Sequence, residues 1–347
     1  MVRADKLYDV LKEKDIDAIL VTDRKNVLYF SGFSGSNGYL IVTKTQKVLV
    51  TDSRYTVQAK QQCPGFVICD MKDFDISGII PENAKIGFEN KTISYSEYVS
   101  FSQKIKNLVP VDFELTVIRA IKDKEEIKNI SYAANIADMG FSHMIDFIKE
   151  GMTEYEVAFE LEMYMRKQGA TSLSFESIIA SGENGAMPHA RPGKRKLISG
   201  DLVVMDFGCV YNGYASDMTR TVAIGDIQKE KLDVYNNVLK VQKECVKLAT
   251  PGALCKNIHN YSFEKLDSLY KNCYGHGLGH GVGLEVHELP NLNPKSEYVL
   301  APGNVITVEP GVYIEGFCGV RIEDLVLITP DGNEILSKST KELIKIA

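Results

Sequence analysis

Hydrophobic positions in the first third of the chain switch between helical and strand spacing. Leu7, Val10 and Leu11 recur on one helix face, and the apolar run that follows them is typical of a strand. Two further apolar runs flank a polar turn, a pattern that predicts a β-hairpin. The predicted elements are a strand over residues 18–21, a hairpin over 39–42 and 47–51, and a helix over 54–62.

Beyond this region, long helical patterns alternate with strand patterns. Asp123 precedes a helix predicted to about residue 149, and acidic residues in its first turn favour that start. Thr153 and Glu156 have the spacing of a capping box, and Gly169 follows the helix that they open. Further helices are predicted over 228–249 and from Pro251-Gly252 to about 271, and strands over 175–180, 202–208, 304–309, 311–314 and 320–328. Because the pattern changes near residues 112–124, we expect two domains, 1–120 and 121–347.

A glycine-rich segment lies at residues 32–38. Such a segment cradles a phosphate when it leads into a helix, because the helix N-terminus then faces the anion. No convincing helix pattern follows this one. We therefore interpret residues 32–38 as a plain turn.

Composition excludes two classes of partner. The 347 residues fit two domains, and the hydrophobic fraction of 44% and charged fraction of 25% are typical of a soluble globular protein. The net charge of −6 argues against nucleic-acid binding, which needs a clustered basic face. No apolar run approaches the roughly 20 residues that cross a bilayer. We expect neither a nucleic acid nor a membrane as partner.

The cysteines and the first residues favour a cytoplasmic location. The seven cysteines are scattered and include no Cys-x-x-Cys pair, which fits reduced thiols rather than a disulfide framework or a zinc knuckle. The N-terminal residues lead directly into a helical pattern and lack the apolar segment of a signal peptide. We therefore expect a cytoplasmic protein.

The second part of the chain contains a faint internal repetition. Residues 150–153 precede one predicted helix, and residues 250–253 precede another at a matching place. Each repeat then ends in a β-region that holds two acidic residues, Asp206 and Asp217 in the first and Glu309 and Glu323 in the second. This pattern indicates two similar halves around one site.

The first acidic pair flanks a predicted hairpin turn. Asn212-Gly213 is the strongest short signal for a two-residue turn. Asp206 lies five positions before Tyr211 and Asp217 lies three after Tyr214. Because both offsets are odd, the two carboxylates project from the same face of the hairpin. The alternative is a pair of solvent-facing acids on an edge hairpin, which the apolar run before Asp206 disfavours.

The second acidic pair follows a cluster of histidines. Three of the six histidines lie within residues 275–288, which packing alone does not explain. Arg321 and Glu323 share one strand face by the two-residue period. Several carboxylates on apolar strands cannot all remain ionised without cations. Carboxylates with an imidazole suit two divalent ions, most of all Mn²⁺, with Co²⁺, Fe²⁺ and Zn²⁺ as alternatives.

These residues carry a family resemblance. Four acids and one histidine, Asp206, Asp217, His280, Glu309 and Glu323, resemble the five-ligand dinuclear site of the pita-bread (M24-type) metallopeptidases. That family includes methionine aminopeptidase, Xaa-Pro aminopeptidase and Xaa-Pro dipeptidase (prolidase). Residues 26–33 and 51–55 resemble the creatinase-type N-terminal domain, which methionine aminopeptidases lack. Creatinase itself is metal-free and does not keep these ligands, so the resemblance points to the proline-specific branch.

The resemblance implies a fold of the α/β (α+β) class. A creatinase-type α/β N-terminal domain would precede a pita-bread catalytic domain with a curved antiparallel sheet and two pseudo-symmetric halves. Within the site, Asp217 and Glu323 would bridge the two ions. Asp206 would complete the shell of one ion, and His280 with Glu309 that of the other. Glu309 would also take a proton from the attacking water.

The remaining site residues are assigned by the same resemblance. His189 and His287 resemble histidines that hold the substrate and stabilise the tetrahedral intermediate. His276 matches a histidine that lines the pocket for the proline ring. Arg321 resembles a residue behind the metal ligands that fixes their carboxylates, and we also expect it among the substrate-binding residues.

The resemblance implies cleavage of Xaa-Pro bonds at the N-terminus of peptides, through a hydroxide that bridges the metals. We expect an Xaa-Pro aminopeptidase acting on peptides with proline at the second position. The alternatives are an Xaa-Pro dipeptidase and a non-catalytic pita-bread protein that binds peptides. A dipeptidase must also bind the carboxylate of proline, for which Arg191, Arg195 and Arg54 are the candidates. The family leads us to expect a homodimer.

Overall fold

The computed structural model describes residues 3–347, which form two units that meet in the sequence between Ile118 and Arg119. Each unit has its own sheets and helices, and the second unit contains the predicted acidic cluster. Within residues 3–347, no helix combines the length and apolar character of a membrane span.

The first unit is built on a mixed six-stranded sheet in the order β4-β3-β2-β1-β5-β6. Its strands are β1 (Ala18–Val21), β2 (Gly38–Thr43), β3 (Lys47–Thr51), β4 (Val67–Asp70), β5 (Lys85–Phe88) and β6 (Asn107–Pro110). Its helices are α1 (Leu7–Glu13), α2 (Arg24–Ser31), α3 (Thr56–Gln62) and α4 (Tyr95–Ser102), and α5 (Asp112–Ala120) leads into the second unit. The predicted hairpin is confirmed, because β2 pairs antiparallel with β3.

Helix α2 is an element that the sequence pattern did not predict. Asp23 caps its start by accepting hydrogen bonds from two backbone N–H groups, and Gly32 ends it in the left-handed region at φ 79°. The buried face of this helix includes polar Asn26, whose amide donates a 2.5 Å hydrogen bond to buried Glu89. A polar residue on the buried face interrupts the apolar period. Residues 32–37 then connect α2 to β2, which begins at Gly38, and no helix follows the glycine-rich segment directly.

The second unit contains two helix-covered sheets. Its helices are α6 (Lys124–Phe147), α7 (Glu154–Lys167), α8 (Lys229–Leu248) and α9 (Cys255–Asp267). Its strands are β7 (Ser172–Leu173), β8 (Ile178–Ser181), β9 (Leu202–Phe207), β10 (Cys209–Tyr211), β11 (Tyr214–Ala215), β12 (Met218–Ile224), β13 (Gly279–Gly281), β14 (Glu288–Leu292), β15 (Val305–Val308), β16 (Gly311–Ile314), β17 (Cys318–Arg321), β18 (Asp324–Thr329), β19 (Gly332–Ile335) and β20 (Lys345–Ile346). The capping boxes predicted at Asp123 and Thr153 are both present.

The two halves of this unit follow the internal repetition. Helices α6 and α7 pack on the sheet β20-β12-β9-β8, and α8 and α9 pack on the sheet β14-β13-β15-β18-β19. Just before α7, Thr153 forms a single antiparallel bridge with Lys196. Just before α9, Leu254 forms the corresponding bridge with Val299. The repeated feature therefore has a structural counterpart in each half.

The strand predicted over residues 320–328 is wrong in one respect. It is divided into β17 and β18 by a break at Ile322 and Glu323. Strand β17 pairs with β16, whereas β18 pairs with β15, so the chain changes sheets at the break. The backbone N–H of Glu323 leaves both ladders and donates to the carbonyl of Thr219 at 3.1 Å. A period of two residues cannot reveal such a change of partner.

Candidate metal centre

The hairpin β9–β12 positions the first acidic pair. Asn212 and Gly213 have φ angles of 49° and 85°, as a two-residue turn of this type requires. Asp206 of β9 lies directly across from Thr219 of β12. Asp217 precedes Thr219 by two positions, so the period of the strand directs it to the same face. The register predicted from the turn is confirmed.

The second acidic pair lies at two strand ends. Glu309 directly follows β15, and its backbone N–H donates to the carbonyl of Leu278 at 2.9 Å. Glu323 occupies the break between β17 and β18, where Thr219 Oγ1 donates to its Oε2 at 2.7 Å. Thr219 therefore links Glu323 to the strand that carries the first pair.

One cavity of about 660 Å³ brings the predicted residues together. Acidic, basic and imidazole side chains share its wall. These are Asp206, Asp217, Glu309, Glu323, His189, His276, His280, His287, Arg321, Glu176 and Arg191. The arrangement places every predicted site residue of the second domain at one cavity, with the exception of Arg195.

His280 is oriented toward the carboxylates. Ligand atoms of His280, Asp217 and Glu323 lie within 4.8 Å of one another. Its Nε2 lies 3.2 Å from Glu309 Oε1 and 3.6 Å from Asp217 Oδ2. Its Nδ1 lies 3.2 Å from the carbonyl oxygen of Gly281, which only accepts, so Nδ1 carries a proton. Nε2 is therefore the nitrogen available to a metal.

The electrostatics of the cluster call for positive charge. Burial, and next the charge of Glu323, raises the pKa of Asp217 well above 3.8. Burial, and next the charge of Glu309, raises the pKa of Glu323 well above 4.5. Burial lowers the pKa of His280, but the hydrogen bond and charge of Glu309 outweigh it and raise the pKa overall. A proton on this imidazole compensates part of the negative charge that a metal ion would compensate more fully.

Glu309 differs from Asp217 and Glu323 because the pKa of its carboxyl is lowered rather than raised. Burial raises its pKa, yet the hydrogen bond and charge of His280 outweigh burial and bring it to about 2. Thr307 Oγ1 donates a second hydrogen bond to Glu309 Oε1 at 3.0 Å. Glu309 is therefore ionised and held in place at neutral pH.

Unsatisfied oxygens provide a test of whether a metal fits. Within residues 3–347, buried Asp206 Oδ1, Asp217 Oδ1 and Glu323 Oε1 have no hydrogen-bond partner. Such atoms are costly, because buried polar groups are nearly always satisfied. Carboxylate oxygens together with one imidazole nitrogen are the donors that divalent Mn, Fe, Co and Zn accept. The residues present therefore fit divalent metal ions.

Arg321 connects the acids to His276. Its NH2 lies 2.5 Å from Asp206 Oδ2, and its NH1 donates to the hydroxyl of Tyr313 at 2.7 Å. That hydroxyl lies 2.9 Å from His276 Nε2, whose Nδ1 lies 2.7 Å from the carbonyl of Gly277. Because the carbonyl only accepts, Nδ1 donates and Nε2 accepts from Tyr313. These contacts fit a role of Arg321 in fixing the carboxylates better than direct contact with substrate.

Two further histidines, His189 and His287, line the cavity and lie outside the close group formed by Asp217, His280 and Glu323. The ring of His287 packs on that of His280, with centroids 4.3 Å apart and planes at 73°. Burial, and next the nearby His280, lowers the pKa of His287. His189 follows Pro188, whose carbonyl accepts a 3.3 Å hydrogen bond from Arg321 NH1. Both imidazoles thus line the cavity beside the acids.

Three hydroxyl groups of the site were not predicted from the sequence. Thr219, Thr307 and Tyr313 hold Glu323, Glu309 and His276 respectively. Thr219 lies two positions after Asp217, and Thr307 lies two positions before Glu309. The two-residue period of a strand could have found both threonines. No comparable sequence signal marks Tyr313.

A buried charge cluster begins directly after His287. Glu288 Oε2 lies 2.5 Å from Arg119 NH2, and its Oε1 lies 2.7 Å from Lys122 Nζ. The side chains of Glu288, Arg119 and Lys122 are 2%, 5% and 0% exposed. Burial raises the pKa of Glu288, but the charges and hydrogen bonds of Lys122 and Arg119 outweigh it, and the pKa is lowered. Glu285 shares Arg119 at 2.8 Å but is 46% exposed.

We expect Glu288→Gln to lower the free energy of unfolding of the metal-free protein by about 3 kcal/mol at pH 7, because Lys122 loses its carboxylate partner and Arg119 loses its buried one while keeping the half-exposed Glu285. A carboxyl with a lowered pKa stabilises the fold above its unfolded pKa and loses that effect as the pH falls through the folded pKa. The difference from wild type should therefore shrink below about pH 4.5. Urea unfolding at several pH values measures it.

Glu285→Gln is the matched control for this prediction. It removes the same charge from Arg119 at a half-exposed position, so we expect a loss of about 1 kcal/mol or less. Equal losses for the two variants, or a Glu288→Gln penalty that grows toward acid pH, would contradict the account of the cluster.

Comparison with known proteins agrees with this geometry. A sequence model of metallopeptidase family M24 matches residues 128–330, and one of the creatinase/prolidase N-terminal domain matches residues 3–121. The chain is 39% identical to the Xaa-Pro dipeptidase of Pyrococcus furiosus, with 99% of each sequence covered. The matched ranges span nearly the whole chain.

Solved structures give the same result. An Xaa-Pro dipeptidase from Bacillus anthracis superposes with a TM-score of 0.94 at 39% identity, covering 99% of each chain. An X-Pro aminopeptidase from Thermotoga maritima superposes with a TM-score of 0.88 at 36% identity, covering 96% of this chain and 98% of that one. The predicted fold, with its creatinase-type N-terminal domain and pita-bread catalytic domain, is confirmed.

Proposed function

The chain belongs to metallopeptidase family M24, and from that premise we propose that it hydrolyses Xaa-Pro bonds as an Xaa-Pro dipeptidase. The observation that carries the proposal is the group of buried carboxylates with unsatisfied oxygens around His280. Two relatives that are 39% identical over 99% of the chain, from Pyrococcus furiosus and Bacillus anthracis, are Xaa-Pro dipeptidases. These relatives favour a dipeptidase, which was the alternative, over the aminopeptidase expected from the sequence. The Thermotoga maritima neighbour is an X-Pro aminopeptidase, so its name includes the same type of bond.

The proposed metal ligands are the five residues of the cluster, Asp206, Asp217, His280, Glu309 and Glu323. Asp217 and Glu323, whose pKa values are raised in the metal-free protein, are proposed as the shared ligands. Two bound divalent ions, with manganese proposed first, supply Lewis acidity and a water of lowered pKa. The family itself implies divalent ions, and the donor set supports them.

Side chains of the protein transfer the proton and stabilise the negative charge that develops on the oxygen of the scissile carbonyl. Glu309, ionised at neutral pH, accepts a proton from the attacking water. His189 and His287 line the cavity and donate N–H groups to the developing oxyanion. The proton then passes to the proline nitrogen, which leaves poorly without it.

Recognition of proline is assigned to the rigid edge of the cavity formed by His276. Its two ring nitrogens are held by Gly277 and Tyr313, so the ring presents a fixed surface. Proline has no backbone N–H, so its ring and the acyl oxygen before it must be recognised instead. The same two contacts also brace the chain segment that carries His276.

We expect the metal-loaded protein to cleave Ala-Pro about 100-fold more efficiently than Ala-Ala. A hydrophobic pocket discriminates by about 10–200-fold for one methylene-sized difference, and the expected ratio lies within that range. The measurement is kcat/KM for both dipeptides, in wild type and in His276→Ala. Equal efficiency in the wild type would leave a general dipeptidase, and an unchanged ratio in His276→Ala would remove only the role of that residue.

A further inference from the structure

A free dipeptide has a C-terminal carboxylate that the acidic metal cluster cannot bind. Its C-terminal carboxylate is one residue from the scissile bond, and a site for free dipeptides must offer it a cation. Arginine is the usual partner, because its planar fork matches a carboxylate. Of the groups that line the cavity, most charged ones are acidic.

Three of the available arginines are committed to other partners. Arg321 donates to Asp206, Tyr313, Thr219 and the Pro188 carbonyl. Arg195 lies 2.6 Å from Asp201, and its NH1 also donates to Ser181. Arg54 makes two 2.8 Å hydrogen bonds to Asp52 in the first unit. None of these guanidinium groups has its fork free for a substrate.

Arg191 is different. It lines the cavity two positions after His189. Its side chain is 82% exposed, and its Nε lies 3.5 Å from Oε2 of Glu176, whose side chain is 63% exposed. A pair this exposed and this long is weak, so a substrate carboxylate can compete for it. Asn291 and Asn293 line the same cavity and add amide donors.

We propose that Arg191 binds the C-terminal carboxylate of the dipeptide and that Glu176 competes with the substrate for it. The proposal rests on the proposed dipeptidase function and names the residue that selects free dipeptides within it. Glu176 keeps Arg191 at the rim in the free protein. A dipeptide carboxylate replaces Glu176, whereas a substrate with a neutral C-terminus gains nothing from this exchange.

The test compares three substrates, Ala-Pro, Ala-Pro-amide and Ala-Pro-Ala, with metal-loaded protein. Arg191→Gln is expected to raise KM for Ala-Pro about tenfold with kcat nearly unchanged, because a uniform binding contact is lost. KM for Ala-Pro-amide should stay within about twofold of wild type. Arg191→Lys should recover part of the loss, since the charge is kept.

Glu176→Gln is the matched variant, and we expect it to change KM for Ala-Pro in the opposite direction. It frees Arg191, so KM for Ala-Pro should fall about two- to threefold while the amide is unaffected. Both side chains are largely exposed, so neither variant is expected to alter folding.

The outcomes separate this inference from the proposed function. Wild type that holds its metals but cleaves none of the three substrates would overturn both. Wild type that cleaves Ala-Pro, with Arg191→Gln changing Ala-Pro and Ala-Pro-amide equally or changing neither, would overturn only the role of Arg191.

Discussion

Asp217→Asn and Glu323→Gln are each expected to bind neither metal ion and to lose at least about 10³-fold in kcat/KM. Each carboxylate is proposed to bind both ions. Replacing it with an amide therefore weakens both metal positions. The Lewis acidity of such ions contributes several kcal/mol to the barrier, and 1.36 kcal/mol is tenfold in rate. Metal content per chain after gel filtration, with activity on Ala-Pro, measures the effect.

Two controls accompany these variants. Asp206→Asn should remove mainly one ion, because Asp206 is proposed to serve a single position. Glu176→Gln makes the same change of charge at the rim of the cavity and should keep both ions. An Asp217→Asn protein with two tightly bound ions and normal turnover would refute the ligand assignment.

Stability in chelator distinguishes metal loss from misfolding. A carboxyl with a raised pKa stabilises the fold fully below its unfolded value, here 3.8 for Asp217, and that effect is lost as the pH rises through the folded pKa. At pH 8 the metal-free wild type has therefore lost this stabilisation, and the buried Asp217 carboxyl destabilises its fold. Asp217→Asn removes it, so its melting temperature in chelator should equal or exceed that of wild type.

His189→Ala and His287→Ala are expected to lower kcat about 10²- to 10³-fold while keeping about two ions per chain. Each is proposed to donate to the oxyanion, and removal of one such donor costs this much. Neither lies among the atoms of the close group formed by Asp217, His280 and Glu323. Single-turnover kinetics and metal analysis of the same samples provide the measurement.

His280→Ala is the control for the histidine prediction. Its Nε2 faces Glu309 and Asp217, so this variant should lose metal as well as activity. Metal loss in His189→Ala together with retention in His280→Ala would show that the two roles are reversed.

The hairpin half of the site could be predicted because its geometry is local. Asn212-Gly213 specifies a two-residue turn, and the parity of the offsets then places Asp206 and Asp217 on one face. The capping residues Asp123 and Thr153 likewise act within one helical turn. Interactions between residues a few positions apart can therefore be predicted from the sequence.

The other half of the site depends on long-range pairing. Glu323 meets Thr219 only because the chain changes sheets between β17 and β18, and the period of β-strands does not show this change. Similarly, Arg195 was a candidate for the substrate carboxylate, and its pairing with Asp201 depends on how the loop folds. The internal repetition and the family resemblance brought the two acidic pairs to one site, but neither predicted the pairing of Glu323 with Thr219 or of Arg195 with Asp201.

The most direct test of the central claim is a titration of metal-free wild type with Mn²⁺ while hydrolysis of Ala-Pro is followed. The account predicts no measurable turnover in chelator and a rise that reaches its plateau at two ions per chain. Full turnover in the presence of chelator, or a plateau at two ions with no cleavage of Ala-Pro, would contradict it.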